Sequence, residues 1–177
     1  MSKKWKGFLC GRPTLWQNPD FTKAKKRVPK TAIVSCIRWS RNQLRSIQLG
    51  RKTQTEEAII ALTKSCHRMH TLRIEQGVDG EYPSRWTPHI ALATRLTHLT
   101  FGDEILIDTG DVAQLLALIP MLKSFTGLRV SKMNPMESLG LEYHGLESLS
   151  MKADDDSFTT NFRPVAPISG VVSLQSG

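Results

Sequence analysis

The chain has 177 residues, 24 Lys+Arg against 16 Asp+Glu for a net charge of +8, and three cysteines. That length suits one domain with tails, and the well-separated Cys10, Cys36 and Cys66 argue against a disulfide framework or a zinc ribbon and for reduced thiols in a cytosolic or nuclear setting. No apolar h-region opens the chain, and the longest nearly unbroken apolar run, 112–122, is too short for the ~20 residues of a spanning helix, so a soluble or peripheral protein is expected.

Charge is unevenly placed. Residues 1–52 carry 14 Lys+Arg and one acid, Asp20, whereas the remainder carries 10 basic and 15 acidic residues. Such asymmetry predicts a basic segment that meets nucleic acid or an anionic membrane, joined to a body of another kind. Residues 1–30, broken by Pro13, Pro19 and Pro29, read as a basic, partly disordered arm. In it Trp5, Phe8, Leu9 and Trp16 interleave with Lys3, Lys4, Lys6 and Arg12. Rings among cations can stack on unpaired bases, sit at the headgroup level of a bilayer, or fold back onto the domain as a clasp. Lys23, Lys25, Lys26 and Arg27 form a compact cluster compatible with a phosphate-binding patch or a nuclear import signal. With Lys30, Arg38, Arg41 and Arg45 these residues make up the candidate nucleic-acid or membrane-binding set.

Thr31 to Trp39 alternates and is rich in β-branched residues, which predicts a first strand, with Leu44 to Leu49 as its hairpin partner. Thr53-Gln-Thr-Glu56 is a capping box, and Ile59, Leu62, Cys66 and Met69 recur at helical spacing, so a helix is expected to about Ile74. His89 to Phe101 reads as a long strand and Glu104 to Ile107 as another. Asp111 to Gln114 opens a second helix, kinked by Pro120 and closed by Gly127. Leu128 to Met133 is then a strand, and Leu139 to Met151 two more, turning near Gly145. No internal repeat is apparent. The expected fold is α+β: a compact domain over 31–152 with a mostly antiparallel sheet packed by two helices, and a flexible tail over 153–177.

Four candidate chemistries fall to their surroundings. Cys66, His67 and His70 supply fewer ligands than a closed zinc site requires, and no complementary pair lies elsewhere, so no metal is expected. Ile105 to Gly110 contains the Asp-Thr-Gly word of retroviral-type aspartic proteases, but Asp111 adds a further negative charge beside it, and strand end, turn and helix cap explain the word more simply. His98-Leu-Thr100 and His89-Ile-Ala91 resemble two-histidine phosphoesterase words, yet nine residues along one strand place the imidazoles on opposite faces. Phosphate-binding glycine loops and nucleophile elbows are absent. The sequence therefore predicts neither an enzyme nor a cofactor nor a small-molecule substrate, and an aspartic protease is the third-ranked alternative.

A basic aromatic arm, a strand over Thr31 to Trp39 and then a helix over Thr55 to Ile74, reduced thiols and a polar tail resemble the plan of the small matrix proteins of plant rhabdoviruses, the cytoplasmic genus in particular. The resemblance implies a viral structural protein of virion and host cytoplasm, peripheral on membranes and with nuclear entry open to it. It would bind an anionic membrane surface, condense RNA or ribonucleoprotein and form a homo-oligomer. The alternative is an RNA-binding regulator with no membrane role.

Overall fold

The computed structural model describes residues 11–53, 55–75, 82, 84–102, 105–130, 145–153 and 172–176. The strands are β1 (Ser46–Leu49), β2 (Thr71–Ile74), β3 (His98–Phe101), β4 (Leu106–Ile107), β5 (Ser124–Val130), β6 (Ser148–Ala153) and β7 (Val172–Ser176); the helices are α1 (Lys30–Ser40), α2 (Thr55–Ser65), α3 (Thr87–Ala91) and α4 (Thr109–Leu118). The strands form one seven-stranded sheet in the order β1-β2-β3-β5-β6-β7, with β4 beside β5, and every pairing is parallel. The fold is therefore α/β, and the expected mostly antiparallel sheet is corrected. Parallel neighbours require a crossover that returns the chain to the same end, which hairpins cannot supply.

The crossovers are regular. The six principal strands begin at residues 46, 71, 98, 124, 148 and 172, so the chain winds with a step of 24 to 27 residues. Backbone bonding repeats with the same step. The carbonyls of Gln17, Arg45, His70, Thr97 and Lys123 each accept two successive N–H groups one coil later, from Arg45 and Ser46, His70 and Thr71, Thr97 and His98, Lys123 and Ser124, and Glu147 and Ser148, at 2.7–3.1 Å. Aligned on these bonds, five segments share one apolar word: Leu44-x-x-Ile47-x-Leu49, Met69-x-x-Leu72-x-Ile74, Leu96-x-x-Leu99-x-Phe101, Leu122-x-x-Phe125 and Leu146-x-x-Leu149. Among the described residues, an apolar word repeated at this step, with helices returning the chain from β1 to β2, from β2 to β3 and from β3 to β5, makes a stack of coils of the solenoid kind. The expectation of no internal repeat is thus overturned.

Each word buries its apolar positions. Leu44, Ile47, Leu49, Leu72, Ile74, Leu96, Leu99, Phe101, Leu122, Phe125 and Leu149 are all at most 1% exposed and pack against helix residues such as Ile33, Ile59, Leu62, Ile90, Val112 and Leu115. Rings extend the stack across coils, with Tyr82 to Phe101 at 5.3 Å and Phe101 to Phe125 at 5.9 Å, both edge-on; such pairs contribute about 0.5–1.5 kcal/mol beyond their burial.

Several predicted elements change type. Thr31 to Trp39 lies in α1, since Ile33, Cys36 and Ile37 point inward at helical spacing. The strand-then-helix order behind the matrix-protein resemblance is accordingly not the order observed. The helix expected to Ile74 stops at Ser65, and 71–74 is β2. Thr53 forms no capping box: its hydroxyl donates to the Gly50 carbonyl at 2.5 Å, and the Glu56 carboxylate pairs with Arg85 at 2.7 Å. His89 sits in α3, so only His98 to Phe101 of the expected long strand is extended. Helix α4 ends before Pro120 without a kink, and Gly127 lies inside β5. Of the strand expected over 128–133, residues 128–130 belong to β5 and 131–133 lie outside the described residues, as does part of the expected turn near Gly145.

From Gly11, the segment expected as an arm runs along the edge of the sheet. A 3-10 turn over Pro13–Trp16 leads to Asp20, which pairs parallel with Gln48, and Val28 pairs with Thr53. Trp16 and Trp39 lie with ring centroids 5.0 Å apart. The described part of the expected tail, β7, pairs with β6. Among the described residues no helix is long and apolar enough to cross a membrane.

Candidate functional site: the open face of the sheet

All-parallel sheets are ordinarily covered on both faces, and their strands are then continuously apolar. Among the described residues only one face of β1, β2 and β3 is covered. Strands β1, β2 and β3 alternate buried with half-buried or exposed residues, so the second face is open to solvent. Three rows of side chains line it, one residue per strand in each row. The first row is Arg45, His70, Thr97, Lys123 and Glu147; the second is Ser46, Thr71, His98, Ser124 and Ser148; the third is Asp20, Gln48, Arg73, Thr100 and Thr126, followed by Ser150 of β6. None of these residues is buried. At about 4.8 Å between neighbouring strands, the six columns of the third row span roughly 24 Å.

The face is built of hydroxyls and charges. Thr126 donates from its hydroxyl to the Thr100 hydroxyl at 3.1 Å across β5 and β3. Thr97 Oγ1 lies 3.1 Å from the His70 carbonyl and 2.8 Å from His98 Nδ1. Arg73 pairs with Glu75 at 2.5 Å and Lys123 with Glu147 at 2.7 Å. These exposed pairs contribute little to stability but fix where charge is presented. Asp20 has its carboxyl held below the usual aspartate range, first by the Thr22 hydroxyl and then by the Thr22 N–H, with Lys23 and Arg73 adding attraction. Cations cluster in the first three coils, and the later columns are mostly Ser and Thr.

The sequence-predicted binding residues divide between places. Lys3, Lys4, Trp5, Lys6 and Phe8 lie outside the described residues. Trp16 is half-buried against Trp39, which is the clasp arrangement among the three foreseen for such rings. Lys23, Lys25, Lys26, Arg27 and Lys30 are exposed on the edge where strands end and helices begin. Arg38 and Arg41 are exposed on the opposite edge, about 15 Å away along the eleven residues of α1. Arg12 is exposed beside the 3-10 turn, and only Arg45 of the set stands on the open face. The remaining face residues were missed, although their signal was present: the x positions of a repeated Leu-x-x-Leu-x-Leu word are polar in every coil.

The other candidate words resolve into structure. Asp108 caps α4, accepting from the Asp111 N–H at 2.7 Å, so the Asp-Thr-Gly word is a helix start whose cap is Asp108 and not the expected Asp111. Asp111 instead accepts from Ser84 at 3.0 Å and ties α4 to the preceding coil. Burial pushes its carboxyl above the ordinary aspartate range; the Ser84 bond acts against this and Asp108 adds to it. Cys36 and Cys66 are buried free thiols that desolvation pushes up to about 12. Cys66 points into the core while His67 and His70 are exposed, and no group of three metal-ligating side chains occurs among the described residues. Compared with protein-family models, curated proteins and solved structures, the chain matches none.

Proposed function

We propose that the chain is a non-catalytic recognition module that takes a partner protein on the open face of its sheet. One observation carries the reading: among the described residues, the parallel strands β1, β2 and β3 leave one face in solvent and furnish it with aligned rows of polar side chains. A face that existed only for stability would be covered by a second layer. Short hydroxyls beside scattered charges suit backbone and side-chain hydrogen bonding to a polypeptide. They do not suit unpaired bases, which are held by stacking on aromatic side chains; the three rows contain no Phe, Tyr or Trp.

The test is selective blockage. Thr71→Trp with Ser124→Trp fills the middle of the face, and Gln114→Trp places the same bulk on the exposed side of α4. A partner recovered with the wild-type chain should bind the helix variant with unchanged affinity and the face variant at least tenfold more weakly. Equal binding by all three proteins would remove the open face as the site. A second reading, an RNA-binding regulator, is favoured by the concentration of cations at the N-terminal coils.

A further inference from the structure

The winding of the chain brings together two basic stretches that are separate in sequence. Lys23, Lys25, Lys26 and Arg27 lie in the loop that enters α1, Lys30 is the first residue of that helix, and Arg51 and Lys52 lie one coil later. Three contacts lock the loops side by side: Val28 pairs with Thr53, the Val28 N–H donates to the Lys52 carbonyl at 2.8 Å, and the Lys52 ammonium donates to the Lys25 carbonyl at 2.6 Å. Seven cations thus share one edge of two adjacent coils. Asp20, the one acid among residues 11–53, accepts from both the hydroxyl and the N–H of Thr22, and Glu56 beyond them pairs with Arg85.

We propose that this edge is a binding site for the phosphodiester backbone of a nucleic acid, separate from the open face. The ligand class follows from what the patch contains and what it lacks. A phosphodiester strand is held by evenly presented cations without shape or base readout. A folded acidic protein needs a buried anchor in a pocket, and an anionic membrane needs an apolar wedge beside the charges. Phe21 and Ala24 of this loop pack onto the core beside the buried Val28; of the exposed large apolar side chains among the described residues, Leu15 lies in the Pro13–Trp16 turn, whose Trp16 rests on Trp39 at the far end of α1, and Leu92, Leu118 and Met121 belong to later coils. Arg38 and Arg41 are at the far end of α1 and take no part.

The experiment uses the full chain, a fluorescein-labelled 20-nucleotide single-stranded RNA and a salt series read by anisotropy. If the four exposed loop cations Lys23, Lys25, Lys26 and Arg27 meet phosphates, log affinity falls with log salt at a slope of about 3, at about 0.7 per contact. Lys25→Glu, Lys26→Glu and Arg27→Glu together should lower the slope by about 2, with an unchanged circular-dichroism melt. Lys25→Gln, Lys26→Gln and Arg27→Gln should give the same loss should the reversal unfold the chain. Arg38→Glu with Arg41→Glu should leave the slope alone, as should the face-blocking pair Thr71→Trp and Ser124→Trp, so this site and the open face fail independently. Equal losses from the two edges would show diffuse attraction and overturn the proposal. So would vesicles containing phosphatidylserine that bind the chain and displace the RNA at equal charge concentration.

Discussion

Asp111 shows how a single side chain joins two coils at a cost. Its carboxyl is nearly buried, is pushed above its ordinary value of 3.8, and accepts from Ser84 in the coil before it. The folded chain therefore holds that proton more tightly than the unfolded chain does. Stability from this group is greatest at low pH and is lost as pH rises from the unfolded value through the raised folded one. Asn keeps an oxygen that can accept from Ser84 and never ionises. Asp111→Asn should accordingly gain on the wild type as pH goes from 3 to 7, read as the difference between their melting temperatures at the two values. A difference that stays constant, or moves toward the wild type, would refute the assignment. Of the site residues, the sequence exposed the cations because charge is visible without a fold; Ser46, Ser124 and Thr126 carry no such mark and gain meaning only from alignment across strands.

Among the elements, the clearest reversal is α1. Its residues Ile33, Val34, Cys36 and Ile37 satisfy a two-residue period nearly as well as a helical one, and β-branching favours the strand reading. Packing decides otherwise: Ile33, Cys36 and Ile37 share one buried helical face, and Arg41 closes the helix in the left-handed region at φ 48°. Gly127 makes the opposite point, since a glycine expected to end a helix sits in β5. There the pairing with β6 shifts register between Phe125 and Leu128, and Gly127 takes φ +80°. A Cβ at Gly127 would run into the Phe101 carbonyl of the neighbouring strand. Gly127→Ala should therefore cost about 1–3 kcal/mol, combining backbone strain with that clash, measured by urea unfolding. A loss under 0.5 kcal/mol would show that the bulge relaxes freely.

At the scale of the molecule, each coil buries its apolar word only against the coils on either side, so an end coil needs a cover. Residues 11–29 supply it at the N-terminal end. Gln17 and Pro19 accept from Arg45, Ser46 and Gln48, Phe21 donates to the Gln48 carbonyl, and Trp16 lies against Trp39. Deleting residues 1–29 should uncover the β1 edge and the inner face of α1, producing aggregation or loss of a cooperative melt in size-exclusion chromatography and circular dichroism. A truncated chain that melts like the full one would show that the segment is an appendage. Charge reversal within 25–27 is for this reason a cleaner probe of polyanion binding than truncation, which removes cations and cover together.

Taken alone, the sequence determined the size class, the concentration of cations before residue 53 and the presence of a helix over Asp111 to Gln114. Local chemistry is enough for these, because charge, capping and apolar density are properties of neighbouring residues. The parallel sheet, the coil and the open face were decided by tertiary structure. The repeat is hard to see in the string because its step drifts and because Leu gives way to Met, Ile and Phe. A four-residue strand forms few hydrogen bonds with itself or its chain neighbours. Its partners lie about 25 residues away, so only the winding of the whole chain selects strand over helix and turns scattered Ser, Thr and Arg residues into aligned rows.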